Sequence, residues 1–262
     1  MTIIETMQQR RSVRNYDGRG ISDDERDELL KAIQLSSSPF GGKLSIQLKK
    51  FNLKEGYKPG TYGMIKGAED FFVIIMGTDE QSYLSVGYRF EQIVLRAWQL
   101  GLGTCWIAAT FNNSDFEKGL SIPNGEKIGI VSPVGHAAEI SLKEKIIRLS
   151  VRSAKRKPFN ELFFFEDFHH PVSENNNFYQ SLEMVRLAPS STNSQPWRAI
   201  VIGETVHFYY KPKSILSITD SGIGLCHFHE AEKYFRHNGD FFKTEDYPHP
   251  PHNWKYLISY SR

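Results

Sequence analysis

Cysteine is scarce in this sequence of 262 residues, in which Cys105 and Cys226 are the two that occur. Without a CxxC pair or a set of spaced cysteines, the chain has neither a disulfide framework nor a cysteine zinc motif. Long apolar runs are also missing, because stretches such as 71–76 are far shorter than a membrane span. A net charge of +2 gives no strong field toward nucleic acid or anionic membranes, so neither partner is expected.

Three further patterns are missing. The first residues, Met-Thr-Ile-Ile-Glu, do not show the basic and then apolar order of a secretory signal, and a cytoplasmic protein is expected. No GxGxxG follows a predicted strand, which argues against a separate Rossmann domain. His227 and His229 stand two apart on a predicted helix and point in different directions, so no metal site is expected.

The patterns that are present predict alternating helices and strands. With 40% hydrophobic residues the chain can bury one large core or two small ones. Capping boxes at Thr2/Glu5 and Ser22/Glu25 predict two helix starts, and the turn Gly203-Glu204 predicts a hairpin. Apolar spacing predicts further helices at 178–188, 87–100 and 222–236 and strands at 44–51, 71–76, 127–136, 197–202, 205–210 and 254–260.

Two basic segments could bind an anion. Arg10-Arg11-Ser12-Val13-Arg14 places three arginines in five residues after the first helix, and Arg can grip a phosphate through two parallel hydrogen bonds. Ser153-Ala154-Lys155-Arg156-Lys157-Pro158 is the second such segment. Taken alone, short basic clusters of this kind are more often solvated surface than binding sites.

The stretch Leu187-Ala-Pro-Ser-Ser-Thr-Asn-Ser-Gln-Pro-Trp-Arg198 joins a predicted helix to a predicted strand. Its hydroxyl and amide side chains could line a ligand, although by composition alone an ordinary polar loop is the commoner outcome. A fourth segment, Gly101-Leu-Gly-Thr-Cys-Trp-Ile-Ala-Ala109, follows the predicted helix 87–100. In all four segments, the order of the residues is a more specific signal than their amino-acid composition.

Together they resemble the motifs R-R-S-x-R, G-L-G-T-C-W-I-G, K/R-x-R-x-P and A-P-S-x-x-N-x-Q-P-W of the nitroreductase family of FMN-dependent oxidoreductases. Ala108 and Ala109 stand where glycine is common in the family, and the earlier basic position of the third motif is Ala154, with Lys155 beside it. The resemblance implies no metal and the following FMN-binding positions: Arg10, Arg11, Ser12, Arg14, Ala108, Ala109, Arg156, Pro189, Ser190, Ser191, Asn193 and Gln195.

The resemblance also implies what these positions do. Arg10 and Arg156 would neutralise the FMN phosphate, while Ser12 and Arg14 would contact the flavin pyrimidine. The backbone at Ala108 and Ala109 would lie near flavin N5, and the loop 189–195 would close the site. No catalytic side chain is required, because the flavin carries the redox chemistry.

The implied fold is α+β and nitroreductase-like, with antiparallel-rich central sheets flanked by helices. The repeated order of helix, loop and strand suggests an internal duplication. We expect one half at 1–168, with the arginine loop and basic tail, and a shorter half at 169–262, with the Ser/Asn/Gln loop. The halves would mimic a dimer within one chain, compatible with a monomer, and complete one FMN site, leaving the symmetry-related site empty.

The expected function is FMN-dependent transfer of hydride from NAD(P)H, by a ping-pong scheme, to a small acceptor such as a nitroaromatic or a quinone. Two alternatives remain open at the level of sequence. The chain could bind flavin without turnover, or it could be a scaffold whose flavin site has decayed.

Overall fold

The computed structural model describes residues 1–51, 59–138, 155–251 and 253–262. The chain forms two compact units, which we call the first unit (residues 9–150) and the second unit (residues 1–8 and 151–262). Residues 155–168, expected from the sequence in the first half, thus group with the residues that follow them. The predicted duplication of two halves stays a prediction.

The first unit is built on a four-stranded antiparallel sheet. Its helices are α2 (Asp23–Leu35), α3 (Glu80–Gln99) and α4 (Asn113–Glu117), whereas helix α1 (Ile3–Gln9), which opens the chain, lies almost wholly in the second unit. The strands, in the sheet order β1-β2-β4-β3, are β1 (Leu44–Lys50), β2 (Asp70–Met76), β3 (Gly103–Thr104) and β4 (Lys127–Gly135).

Burial explains the position of β2 in this sheet. Every residue of β2 is buried, as expected of a strand with a neighbour on each side. Phe71 of this strand packs edge-to-face against Phe51 and Phe116, with ring centroids 5.5 and 5.4 Å apart. These aromatic rings belong to a hydrophobic core that also includes Val13 and Tyr16 of the arginine loop. The arginine loop is therefore tied to the core of the first unit.

The second unit has a six-stranded mixed sheet in the order β6-β5-β7-β8-β10-β9. Strand β5 pairs with β7 in parallel, and the other pairs are antiparallel. Its strands are β5 (Phe163–Phe165), β6 (Asp167–Pro171), β7 (Trp197–Ile202), β8 (Thr205–Tyr210), β9 (Asp240–Phe242) and β10 (Lys255–Ser261), and its helices are α5 (Tyr179–Leu187) and α6 (Leu216–Tyr234).

Local signals in the sequence located most elements well. Both capping boxes form, with Glu5 N donating to Thr2 Oγ1 (3.2 Å) and Ser22 in the same role for α2. The hairpin β7–β8 turns at Gly203-Glu204, with Ile202 paired to Thr205.

Two helices begin earlier than predicted. Helix α3 begins at Glu80 rather than 87, because the side chain of Asp79 caps it by accepting from Ser82 N. Helix α6 begins at Leu216 rather than 222. The earlier start places Asp220 on the helix instead of in a loop.

The α+β fold class is confirmed, with helices beside antiparallel-rich sheets. Within the described ranges, none of the helices combines the length and the apolar character that a membrane crossing requires.

Candidate functional site

The arginine loop, residues 10–16, is held in the first unit by backbone hydrogen bonds on both sides. Val13 N donates to Thr104 O (2.8 Å), and Ser12 forms an isolated parallel bridge with the same residue of β3. On the other side, Lys66 N donates to Arg14 O (2.9 Å) and Tyr16 N donates to Lys66 O (2.8 Å). Two of the four sequence motifs, the arginine loop and the Gly-Leu-Gly-Thr segment, are therefore direct neighbours.

Gly103 is required for this contact. A Cβ atom built at Gly103 would lie 2.5 Å from Val13 Cγ2, closer than real Cβ atoms approach other atoms. Glycine therefore lets the loop carrying the arginines lie directly against β3. The Tyr16 hydroxyl adds a further restraint by donating to Val13 O (2.8 Å).

Arg10 has a charged neighbour that the sequence motifs did not reveal. Its Nε atom lies 3.5 Å from Glu91 Oε1 of α3, and the exposed fractions of the two side chains are 4% and 0%. Trp106 Nε1 donates to the other carboxylate oxygen, Glu91 Oε2, at 3.0 Å. Arg10 and Glu91 thus form a buried ion pair, to which the half-buried Trp106 donates a hydrogen bond.

The Nε atoms of Arg10 and Arg14 are both buried and find no hydrogen-bond partner in the part of the chain that the structure describes. Arg10 has the Glu91 carboxylate as an ion-pair partner, whereas Arg14 has no ion pair among the described residues. A buried donor left in this state costs about 1–3 kcal/mol, which a ligand with an acceptor oxygen or nitrogen would recover. Arg14 is therefore the residue of the arginine loop best suited to contact a ligand.

The segment after Cys105 is also anchored. Ile107 exchanges two backbone hydrogen bonds with Val131 of β4, each of 3.0 Å. The chain then leaves the sheet, so that Ala108 is half-buried and Ala109 is exposed. These two residues thus lie at partly exposed positions next to the sheet of the first unit.

The Ser/Asn/Gln loop of the second unit, residues 189–195, is a compact turn after the end of α5. Asn193 N donates to Ser190 O (3.0 Å), Ser194 N donates to Ser191 O (3.0 Å), and Gln195 N donates to the Ser190 hydroxyl (2.9 Å). Positive φ angles occur at Thr192 (49°), Asn193 (55°) and Gln195 (48°), a conformation that only asparagine among these three tolerates well. Such backbone strain persists only where surrounding contacts enforce it.

The contacts that enforce it come from the basic tail. Lys157 N donates to Gln195 Oε1 (2.7 Å), and Asn193 Nδ2 donates to Lys155 O (2.8 Å). Arg156 Nη1 donates to Asn193 Oδ1 (3.2 Å), while its Nη2 donates to Leu187 O (3.0 Å) at the end of α5. A cation is favourable at a helix C-terminus. The amides of the loop thus hold the backbone of 155–157 and orient Arg156.

This arrangement places Arg156, Asn193 and Gln195 together within the second unit, where the amides of Asn193 and Gln195 bind the protein itself. Gln195 is only 3% exposed and its amide is occupied by the protein itself. Pro189 and Ser190 are half-buried, and Ser191 is exposed. Ala154, the earlier position of the basic motif, lies outside the described residues.

We expect Gln195→Ala to lower the free energy of unfolding by about 2 kcal/mol, because it leaves the Lys157 N–H without its acceptor. Denaturant unfolding monitored by circular dichroism measures this change. Thr192→Ser is the matched control in the same turn, since the Thr192 side chain is exposed, and its effect should stay within about 0.5 kcal/mol. Equal midpoints for wild type and Gln195→Ala would contradict the anchoring role.

A buried carboxylate fixes the other side of the loop. Asp220 of α6 accepts from Ser191 N (2.8 Å) and from the Ser194 hydroxyl (3.0 Å). Burial raises the pKa of Asp220 to about 7, and the two hydrogen bonds only partly oppose this rise. Sequence reasoning missed Asp220 because the helix was expected to begin at 222.

Three comparisons with known proteins bear on this geometry. The family model described as "Putative TM nitroreductase" matches residues 2–232. No match was found among curated proteins. Among solved structures, a "putative nitroreductase" from Thermotoga maritima superposes with a TM-score of 0.63 at 20% identity, covering 99% of this chain and 92% of that chain. This last similarity shows the fold.

Other solved structures are similar to about half of this chain. An FMN-dependent nitroreductase from Clostridium difficile gives a TM-score of 0.42 at 22% identity and covers 53% of this chain and 89% of its own. A nitroreductase with bound FMN from Bacteroides fragilis gives 0.44 at 19% identity, covering 53% and 90%.

Proposed function

Because this chain belongs to the nitroreductase family, whose model matches residues 2–232, we propose that it is an FMN-dependent NAD(P)H oxidoreductase. A general oxidoreductase role follows from the family. The finer proposal is ping-pong transfer of hydride from NAD(P)H to a small electrophile, such as a nitroaromatic or a quinone. When bound, FMN would supply the hydride chemistry, which no amino-acid side chain supplies.

The observation that carries the proposal is the state of Arg14. The arginine loop lies against Gly103 and Thr104, and it presents a buried guanidinium nitrogen without a hydrogen-bond partner among the described residues. A buried donor without a partner is suited to a ligand that offers several hydrogen-bond acceptors. The pyrimidine ring of a flavin offers such acceptors. The residues present therefore fit the cofactor.

The proposed roles divide among the chain's own residues. Arg14 and Ser12 would bind and orient the pyrimidine edge of the flavin, where the positive charge of Arg14 would favour the negatively charged reduced state. Arg10, Arg11 and Arg156 supply charge for the phosphate. The backbone N–H groups of Ala108 and Ala109 would donate a hydrogen bond to flavin N5. Pro189, Ser190, Ser191, Asn193 and Gln195 would form the polar wall, while Asn193 also accepts from Arg156 and Gln195 accepts from the adjacent Lys157 N.

The first experiment is to purify the full chain, record its visible spectrum, identify released flavin by mass, and add NADH or NADPH without oxygen. We expect a yellow protein that releases FMN and bleaches on reduction. A colourless protein that does not take up FMN would favour a scaffold and overturn the proposal. Bound flavin that neither nucleotide reduces would show a flavin-binding protein without turnover, which contradicts the enzymatic part.

Arg14→Ala tests the residue assignment. We expect FMN affinity to fall roughly 10- to 100-fold, the effect of losing one or two charge-assisted hydrogen bonds. Arg19→Ala is the matched control, because this arginine of the same unit has a side chain 72% exposed and pairs with Asp17. Fluorescence titration of FMN measures both variants. Equal loss in the two would mean that Arg14 acts only through overall charge.

A further inference from the structure

Two cations of the second unit converge on one neutral acceptor. Lys157 Nζ donates to Ser194 O (3.2 Å) and to Gln195 O (3.4 Å), and Arg198 Nη1 donates to the same Gln195 O (3.2 Å). Backbone carbonyls satisfy hydrogen bonds, but they do not neutralise charge. Two positive groups therefore lie close together with only dipoles between them.

Two further lysines add to this charge. Lys211 directly follows β8, and its N–H donates to Pro196 O (2.9 Å), next to Gln195. Lys213 precedes α6, and its N–H donates to Ser217 Oγ (3.1 Å). We call Lys157, Arg198, Lys211 and Lys213 the basic cluster. None of the four belongs to the positions that the sequence motifs assign to FMN.

The charges of the basic cluster act on one another. Burial lowers the pKa of Lys157 to about 8, and repulsion from Arg198, Lys213 and Lys211 contributes to this shift. Glu161, an exposed residue, acts in the opposite direction. More positive than negative charge thus acts on Lys157. A bound anion would neutralise part of this excess positive charge.

Arg198 is itself incompletely satisfied. The residue is 7% exposed, and its guanidinium carbon lies 5.3 Å from the centre of the Trp254 ring. Its Nε atom is buried and finds no hydrogen-bond partner among the residues described. A buried arginine with an unused donor, which shares a carbonyl acceptor with Lys157, is suited to an anion with several oxygen atoms.

We propose that Lys157, Arg198, Lys211 and Lys213 form a binding site for a phosphate dianion. Phosphate offers three or four acceptor oxygens and about two negative charges near neutral pH. Arg198 supplies directed hydrogen bonds, and the lysines supply mobile charge. The dianion could be free phosphate or the phosphate monoester of a nucleotide, and the ligands used in the test separate these sources.

The test of the site itself does not depend on flavin. Inorganic phosphate is titrated into the full chain, with chloride at equal ionic strength as the reference, and binding is followed by calorimetry and by the shift in thermal midpoint. We expect phosphate to bind and to raise the midpoint. Lys157→Gln and Lys211→Gln should each weaken phosphate binding about 10-fold, the effect of losing one charged hydrogen bond.

Lys233→Gln is the matched control, because this lysine of the same unit has a side chain 51% exposed and pairs with Glu230. It should bind phosphate like the wild type. Lys211 is exposed, so its variant keeps the test valid if Lys157→Gln folds poorly. Phosphate binding no stronger than chloride binding, or unchanged binding in Lys211→Gln and Lys157→Gln, would overturn the proposal.

Paired ligands identify the source of the dianion. If the variants lose affinity for NADPH but keep that for NADH, the ligand is the nucleotide 2′-phosphate. If the variants lose affinity for FMN but keep their affinity for riboflavin, the bound group is the phosphate of FMN. If only inorganic phosphate binding falls, the site takes free phosphate. Binding of free phosphate can be observed even if the protein binds no flavin. The experiment therefore distinguishes a failure of the phosphate site from a failure of the proposed function.

Discussion

Arg10→Ala is expected to lower the free energy of unfolding by about 3–5 kcal/mol, the usual cost of removing one partner of a buried ion pair. The variant would leave the Glu91 carboxylate, 0% exposed, without the guanidinium 3.5 Å away. Urea unfolding at neutral pH measures the change. Loss of FMN from this variant would therefore not by itself show that Arg10 contacts the phosphate.

The double variant Arg10→Ala/Glu91→Gln provides the control. A glutamine can still accept from Trp106 Nε1, and it removes the buried negative charge, so much of the lost stability should return. FMN affinity measured in this double variant then reports on Arg10 as a ligand. A single variant as stable as the wild type would mean that the buried pair contributes nothing to folding.

Asp220→Asn is expected to change how stability depends on pH. The pKa of Asp220 is raised from 3.8 to about 7 by burial, so the folded state binds a proton that the unfolded state releases between these values. The contribution of Asp220 to stability is therefore complete below pH 3.8, and it is lost as the pH rises through about 7. The linked free energy is roughly 4 kcal/mol.

Because Asp220→Asn removes the titrating group, the stability of this variant should lack the decrease between about pH 4 and about pH 7 that Asp220 causes. From about pH 4 to about pH 8 the stability of Asp220→Asn should gain roughly 4 kcal/mol relative to wild type. The asparagine can still accept from Ser191 N, and the Ser194 hydroxyl can accept from its amide. Urea unfolding at several pH values measures the difference between the two proteins.

Comparing the two proteins removes the effect of other titrating groups. His229 is one of these, because burial lowers its pKa to about 4 and its contribution to stability is lost as the pH falls. Asp220→Ala is the second control: it has no acceptor for the loop, so its stability should depend on pH as that of Asp220→Asn does but be lower throughout. Parallel curves for wild type and Asp220→Asn would show that Asp220 does not titrate in this range.

Local chemistry explains why many elements could be predicted. The capping boxes at Thr2 and Ser22 and the hairpin turn at Gly203 depend on residues within a few positions of one another. The start of α3 was missed because Asp79, its capping residue, lies outside the strongly apolar part of the helix. Helix boundaries depend on such single contacts, whereas the existence of a helix depends on its whole periodic pattern.

The candidate site could be predicted as a set of motifs but not as a set of contacts. The sequence indicated that Arg156 and the Ser/Asn/Gln loop belong to one function. It did not indicate that Asn193 and Gln195 hold the backbone of 155–157, or that Asp220 fixes Ser191. These hydrogen bonds join residues 29 to 38 positions apart, and no short pattern encodes such separations.

The sequence by itself determined the family of this chain, most of its longer helices and strands, and which segments carry arginines, hydroxyls and amides. Only the tertiary structure decided that Glu91 lies against Arg10, that Arg14 keeps a buried donor without a partner among the described residues, and that Lys157 and Arg198 share one carbonyl. The physical reason is that the strength of a charge or hydrogen bond depends on burial and on its neighbours, and both are set by folding.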